Sequence, residues 1–174
     1  MEYEIKTPLS KSDALRLRAG DLVYLTGTVF SARDAAHQRM TEALEKGGAL
    51  PFDIDGASIY YMGPSPAPEG LPIGSAGPTT ASRMDKYTPE LIAKGMRAMI
   101  GKGKRSETVI SAMKEQGCVY FAAVGGAGAL LSRCITESKV IAYEDLGAEA
   151  VRKMQISRFP VIVAIDSLGE SVYK

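Results

Sequence analysis

The sequence predicts an α/β fold, built as a single domain over residues 1–174. Three observations carry this reading. Strand-like and helix-like segments alternate through most of the chain, the pattern of layered α/β proteins. Cys118–Val124 (CVYFAAV) is a continuous apolar run, as expected of a strand buried on both faces. No internal repeat, low-complexity tract or compositional break divides the 174 residues, a length that supports one sizeable core.

The elements follow in order. Residues 2–8 alternate and lead into a proline, so they read as an opening strand. Ser10-Lys-Ser-Asp13 caps a short segment, Ala14–Arg18, that Gly20 ends. Asp21–Phe30 (DLVYLTGTVF) is β-branched and aromatic with period-two alternation, the pattern of a strand. Ser31–Lys46 reads as a helix closed by Gly47-Gly48, with Asp34, Gln38 and Glu45 on its polar face. Residues 56–62 are another strand, and the proline-rich stretch 63–72 is a loop. Thr88–Ile100 fits a helix with Thr88 as cap, Pro89 at the first position and an apolar stripe of Leu91, Ile92, Met96 and Met99. Ser106–Gln116 is a helix that Gly117 ends. After the apolar strand 118–124, Lys139–Tyr143 reads as a strand, Gly147–Ile156 as a helix and Pro160–Asp166 as the last strand.

Composition narrows the function classes. The 21 basic and 20 acidic residues leave a net charge of +1, which lacks the basic footprint of a nucleic-acid binder. No apolar run is long enough to span a bilayer, and Met1–Ile5 lacks the basic-then-apolar form of a secretory signal. A cytoplasmic setting is expected. Cys118 and Cys134 make neither a disulfide framework nor a metal site by themselves, and Cys118 reads as a buried thiol.

Four stretches could carry chemistry. In Gly74–Asp85, Gly77-Pro78 turns the chain and two threonines follow. A helix starting there would place Thr79 and Arg83 four residues apart on one face, a hydroxyl and a guanidinium suited to an anion. Equally, Thr79 caps a surface helix and Arg83 pairs with Asp85 or solvent. In Ser31–His37, Arg33 lies at a strand-to-helix junction and can fork onto a carboxylate. Asp34 and His37, the only histidine, are spaced to pair and so fix the imidazole tautomer, or the histidine is satisfied locally. Gly101-Lys102-Gly103-Lys104-Arg105 frees backbone around a lysine but lacks the spacing of a phosphate-binding P-loop; a solvated basic turn is the alternative. Gly125-Gly126-Ala127-Gly128 follows a strand, as in an anion nest, without the full dinucleotide fingerprint; close backbone packing explains these glycines equally well.

Together RDAAH at 33–37, GPTTASRMD at 77–85, GKGKRS at 101–106 and VGGAGALL at 124–131 resemble the class I, iron–sulfur fumarate hydratases. More narrowly, the chain resembles the β subunit of the two-subunit form, or the similar β subunit of L(+)-tartrate dehydratase. The resemblance covers nearly the whole chain. It implies a swivelling β/β/α domain and reversible hydration of fumarate to L-malate. It implies an α subunit partner holding a [4Fe–4S] cluster, with a C4 dicarboxylate bound between the subunits. By the same resemblance, Arg33, Gly77, Thr79, Arg83 and Lys102 meet the substrate, with Lys104 as the alternative lysine. Thr79, Arg83 and Lys102 are the catalytic set, Thr79 acting as base with an acidic residue of the α subunit. Asp34, His37, Asp85, Gly125 and Gly126 support them. No metal ligand is expected on this chain. Tartrate dehydration, or a non-catalytic anion-binding module, are the alternative functions.

Overall fold

Seven strands form one mixed sheet in the computed structural model, which describes residues 1–123 and 128–173. They are β1 (Glu2–Thr7), β2 (Leu22–Ser31), β3 (Ser58–Tyr60), β4 (Ala98–Gly101), β5 (Val119–Ala123), β6 (Ile135–Ala142) and β7 (Val151–Ile165). The helices are α1 (Lys11–Arg16), α2 (Asp34–Glu45), α3 (Thr88–Ala93), α4 (Glu107–Gln116) and α5 (Gly128–Ser132). Strands β1 to β5 pair in parallel, each with the next. β7 runs antiparallel to β2, β5 and β6. Because β7 pairs with both β2 and β5, the strands β2, β3, β4, β5 and β7 make a closed circuit of pairings.

Strand alternation feeds two cores. Tyr60, Ile100 and Phe121 face one core, together with Val23, Leu25 and Val161. Their neighbours Ile59, Met99 and Tyr120 face the other, with Met40, Met84 and Leu91. Both faces of β5 are therefore covered, which is why its sequence is apolar without alternation. Among the described residues, no helix is long and apolar enough to cross a membrane.

Three expected elements differ. The expected helix 88–100 splits: α3 stops at Ala93, and Ala98–Gly101 becomes β4 between β3 and β5. Gly95 makes the break at φ +114, where a Cβ would lie 2.8 Å from Asp55 Oδ1. Met96 and Met99 do enter one core with Leu91 and Ile92, but Met96 comes from the connection after α3 and Met99 from β4. The expected helix 147–156 is instead a 3-10 turn over Glu144–Glu149 followed by β7, which runs on through Pro160. A register shift opposite Leu25–Gly27, with Arg158 at φ 47, bulges the strand just before that proline. Finally, no helix starts at Pro78. Thr79-Thr80 stays extended, with Thr80 bridging Lys102 in parallel, and a 3-10 turn covers Ala81–Met84.

Candidate functional site

Strands β1 to β5 are parallel, so their carboxyl ends, and the segments that follow them, lie on one side of the sheet. Here β2 ends just before Arg33, β3 just before Tyr61 and β4 just before Lys102. The segment 79–81 is stitched between the last two. Thr79 N–H donates to the Tyr61 carbonyl at 2.7 Å, Lys102 N–H to the Thr79 carbonyl at 3.3 Å, and Ala81 N–H to the Lys102 carbonyl at 2.8 Å. Gly101 permits this approach: a Cβ there would lie 2.8 Å from Tyr61 Cδ2 and 3.2 Å from Ala81 Cβ. No turn is found at Gly77-Pro78, where one was expected; these two residues and Thr79 are half-buried, while Thr80 and Lys102 are exposed. Thr79 and Arg83 thus belong to one segment, but not to one α-helical face.

The junction after β2 approaches from the other side. Arg83 Nε donates to Asp34 Oδ2 at 2.8 Å, across 49 residues of sequence. So Arg83 does not pair with Asp85. Its side chain is 55% exposed. Arg33 caps α2 without a side-chain hydrogen bond. Ala35 N–H instead donates to Glu149 Oε1 at 3.1 Å, so a residue 114 positions away caps the helix. A bidentate Arg39–Asp145 pair, at 2.7 and 2.8 Å, ties the same 3-10 turn to α2. The side chain of Arg33 lies against Gly63, where a Cβ would be 3.0 Å from both Arg33 Cδ and a guanidinium nitrogen.

His37 is fully buried. Its Nδ1–H donates to the Arg33 carbonyl at 2.8 Å, so that carbonyl, not Asp34, fixes the tautomer. The ring packs edge-on to Tyr61 and near Tyr87. Burial lowers its pKa from 6.5 to about 4, against the opposing pull of the Arg33 hydrogen bond, and the ring is neutral at neutral pH. His37 Nε2, Arg33 Nε and Asp34 Oδ1 are buried without a partner among the described residues. Three orphaned polar atoms within five residues mark a junction that its own fold does not satisfy.

Asp85, in turn, meets a residue the sequence did not single out. Arg105 Nε donates to Asp85 Oδ1 at 2.7 Å, with the arginine side chain 0% exposed. Asp85 Oδ2 accepts Ser106 N–H at 2.8 Å. Within GKGKRS, nothing distinguishes the buried Arg105 from its exposed lysine neighbours; only the apolar partners folded around it do. Glu149 and Gly63 carried no local signal either. Gly125 and Gly126 lie outside the described residues.

Among the described residues, no group of three or more His, Cys, Asp or Glu side chains could hold a metal ion. Cys118 sits in one core and Cys134 packs against the other. Cys118 donates to the Met96 carbonyl at 3.2 Å, and burial pushes its pKa up to about 12. Its thiol is therefore held protonated, the form that does not ligate metal.

Comparison with known proteins gives a consistent picture. The model of the fumarase C-terminus family matches residues 2–174. The aerobic class I fumarate hydratase of Escherichia coli is 39% identical over 152 residues, 86% of this chain. Fumarate hydratase 2 of Leishmania major is 36% identical over 177 residues, 99% of this chain. The chain spans only 28% and 31% of those two proteins. A Methanocaldococcus jannaschii protein described provisionally as the β subunit of L(+)-tartrate dehydratase is 37% identical over 180 residues. There the match covers all of this chain and 92% of the relative.

Proposed function

Because the chain belongs to the fumarase C-terminal family, we propose that it supplies the carboxylate-binding half of a hydro-lyase site, as a single swivelling β/β/α domain. The reaction is reversible hydration of fumarate to L-malate, and an α subunit carrying the [4Fe–4S] cluster completes the site. The two cysteines of this chain, one in each core, do not fit such a cluster. The match over 92% of a protein described as a β subunit supports the two-subunit arrangement.

The observation that carries the reading is the Arg83–Asp34 pair, which brings the 33–37 and 77–85 stretches together. Asp34 takes Nε and leaves the terminal guanidinium fork for a carboxylate, the bidentate geometry arginine favours. Arg33 and Lys102 contribute two further cations from beyond the ends of β2 and β4, which flank β3, so a C4 dicarboxylate meets positive charge at both ends. Thr79, whose backbone joins the two strand ends, takes the role of base with an acidic residue of the partner. Threonine needs its pKa lowered for that role. With no α-helix starting at Pro78, the neighbouring cations must do this rather than a helix terminus.

The test is hydratase activity of this chain alone, of its cluster-bearing partner alone, and of the mixture, with fumarate and L-tartrate offered separately. Activity in the mixture alone, with fumarate preferred, supports the reading. Arg83→Ala should then lower kcat/KM by about 100-fold with the complex intact, as loss of a charge-assisted hydrogen-bond pair does. Equal activity of that variant sinks the clamp role. The match to a tartrate dehydratase β subunit favours a second reading, dehydration of L-tartrate. Preference for tartrate would select it and keep the cation assignments.

A further inference from the structure

Arg105 is buried, yet it ties the segment that carries Arg83 and Asp85 to the strands that end beside Thr79 and Lys102. Its Nε pairs with Asp85, two residues after Arg83. Its terminal nitrogens donate to Thr88 Oγ1 at 3.0 Å, to Tyr61 Oη at 3.2 Å and to Met99 Sδ at 3.5 Å. Its guanidinium lies over the rings of both Tyr61 and Tyr120, 5.2 and 4.9 Å from their centroids. Tyr61 packs against His37, and its carbonyl holds Thr79 N–H. Lys102 stands three residues before Arg105 on the loop that Asp85 also holds through Ser106 N–H. A planar fork is needed for these contacts; an ammonium is a point charge and cannot make them together.

We propose that Arg105 is a positioning residue: it sets the spacing between Lys102 and the Thr79–Arg83 segment, and so the fit of the dicarboxylate. The fork of Arg105 and the two oxygens of Asp85 clamp the loop 101–106 onto the segment 79–88. Charge alone is not sufficient for this, because the geometry is set by bonds in several directions. Arg105 does not meet the substrate; it acts through Lys102 and Thr79. The kinetic part of this inference rests on the proposed function, while its structural part does not.

The experiment has two arms, each run on wild type, Arg105→Lys and Asp85→Asn. The first is amide hydrogen exchange, read at Ala81 and Lys102, whose N–H groups cross between the two segments, and at core amides of β2 and β7. The second is steady-state kinetics of the reconstituted complex with fumarate and L-tartrate. Arg105→Lys should speed exchange at Ala81 and Lys102 at least tenfold while the β2–β7 amides hold. It should also raise KM or lower kcat at least tenfold with the complex still assembled. Asp85→Asn keeps the shape and one acceptor oxygen, so it should fold and show a smaller change of the same kind. Unchanged exchange at both amides overturns the clamp, and loosened amides with unchanged kinetics overturn its role in substrate fit. Uniformly faster exchange across the sheet would also overturn it, since that is a global stability effect. An inert wild-type complex overturns the proposed function instead, and the exchange arm still decides the clamp.

Discussion

Acidification should destabilise this protein through one residue. His37 is the only histidine in the chain, and burial lowers its pKa from 6.5 to about 4. The sign follows from linkage. Between those values the unfolded chain binds a proton that the native state refuses. Stability contributed by neutral His37 is therefore complete above the unfolded pKa and is lost as pH falls toward the folded one. For this shift the loss is about 2 kcal/mol at about pH 5, relative to neutral pH. A variant that cannot titrate isolates the histidine's share. His37→Asn keeps an amide donor near the Nδ1 position and cannot titrate. Urea unfolding of both proteins should be followed from about pH 7 to about pH 5. The stability gap between them should shrink by about 2 kcal/mol over that range. Parallel profiles would refute the reasoning, as would a native imidazole resonance that titrates near its ordinary pKa.

Three further outcomes are expected. Asp34→Asn keeps an oxygen for Arg83 Nε but removes the charge, and KM for the dicarboxylate should rise about tenfold while the unfolding midpoint barely moves. Gly101→Ala forces a Cβ to 2.8 Å from Tyr61 Cδ2; denaturant titration should show a cost of about 1–3 kcal/mol, and an unchanged midpoint would count against the close approach. Arg105→Met leaves Asp85 without its buried partner and should cost about 3–5 kcal/mol by the same titration, whereas a stable variant would mean that the pair is idle.

Much of the strand framework was legible because burial on two faces leaves a distinct trace. CVYFAAV reads as doubly covered, and Val119, Tyr120 and Phe121 are each fully buried. The helix ended by Gly117 was equally readable, its first expected residue, Ser106, being the cap; the segment expected at 14–18 starts earlier, at Lys11, because Ser10 alone accepts the Asp13 N–H and caps it. The errors fell where short apolar runs fit two periods. Met96 and Met99 are spaced as on a helix, yet Met99 belongs to β4; Gly95, tolerated in a helix, was the break. Residues 147–156 were misread because buried Val151 and Met154 stand three residues apart around the less buried Arg152 and Lys153, as on an amphipathic helix. At the site, the stretches around Arg33, Thr79 and Lys102 were found, and the structure brings them to adjacent strand ends. Which charges pair was not readable. Asp34 with Arg83 and Asp85 with Arg105 lie 49 and 20 residues apart, distances over which local spacing says nothing.

The closed circuit of β pairings also bears on how the chain is made. β2 pairs with β1, β3 and β7, and the last of these comes late in the chain: Gln155 Nε2 donates to Thr28 Oγ1 across 127 residues. On a ribosome, β2 is complete long before β7 exists, and until then one of its edges lacks a mate. Non-local pairing of this kind folds slowly and leaves strand edges open to other chains in the meantime. Early chains therefore need shelter until residue 151 and beyond emerge.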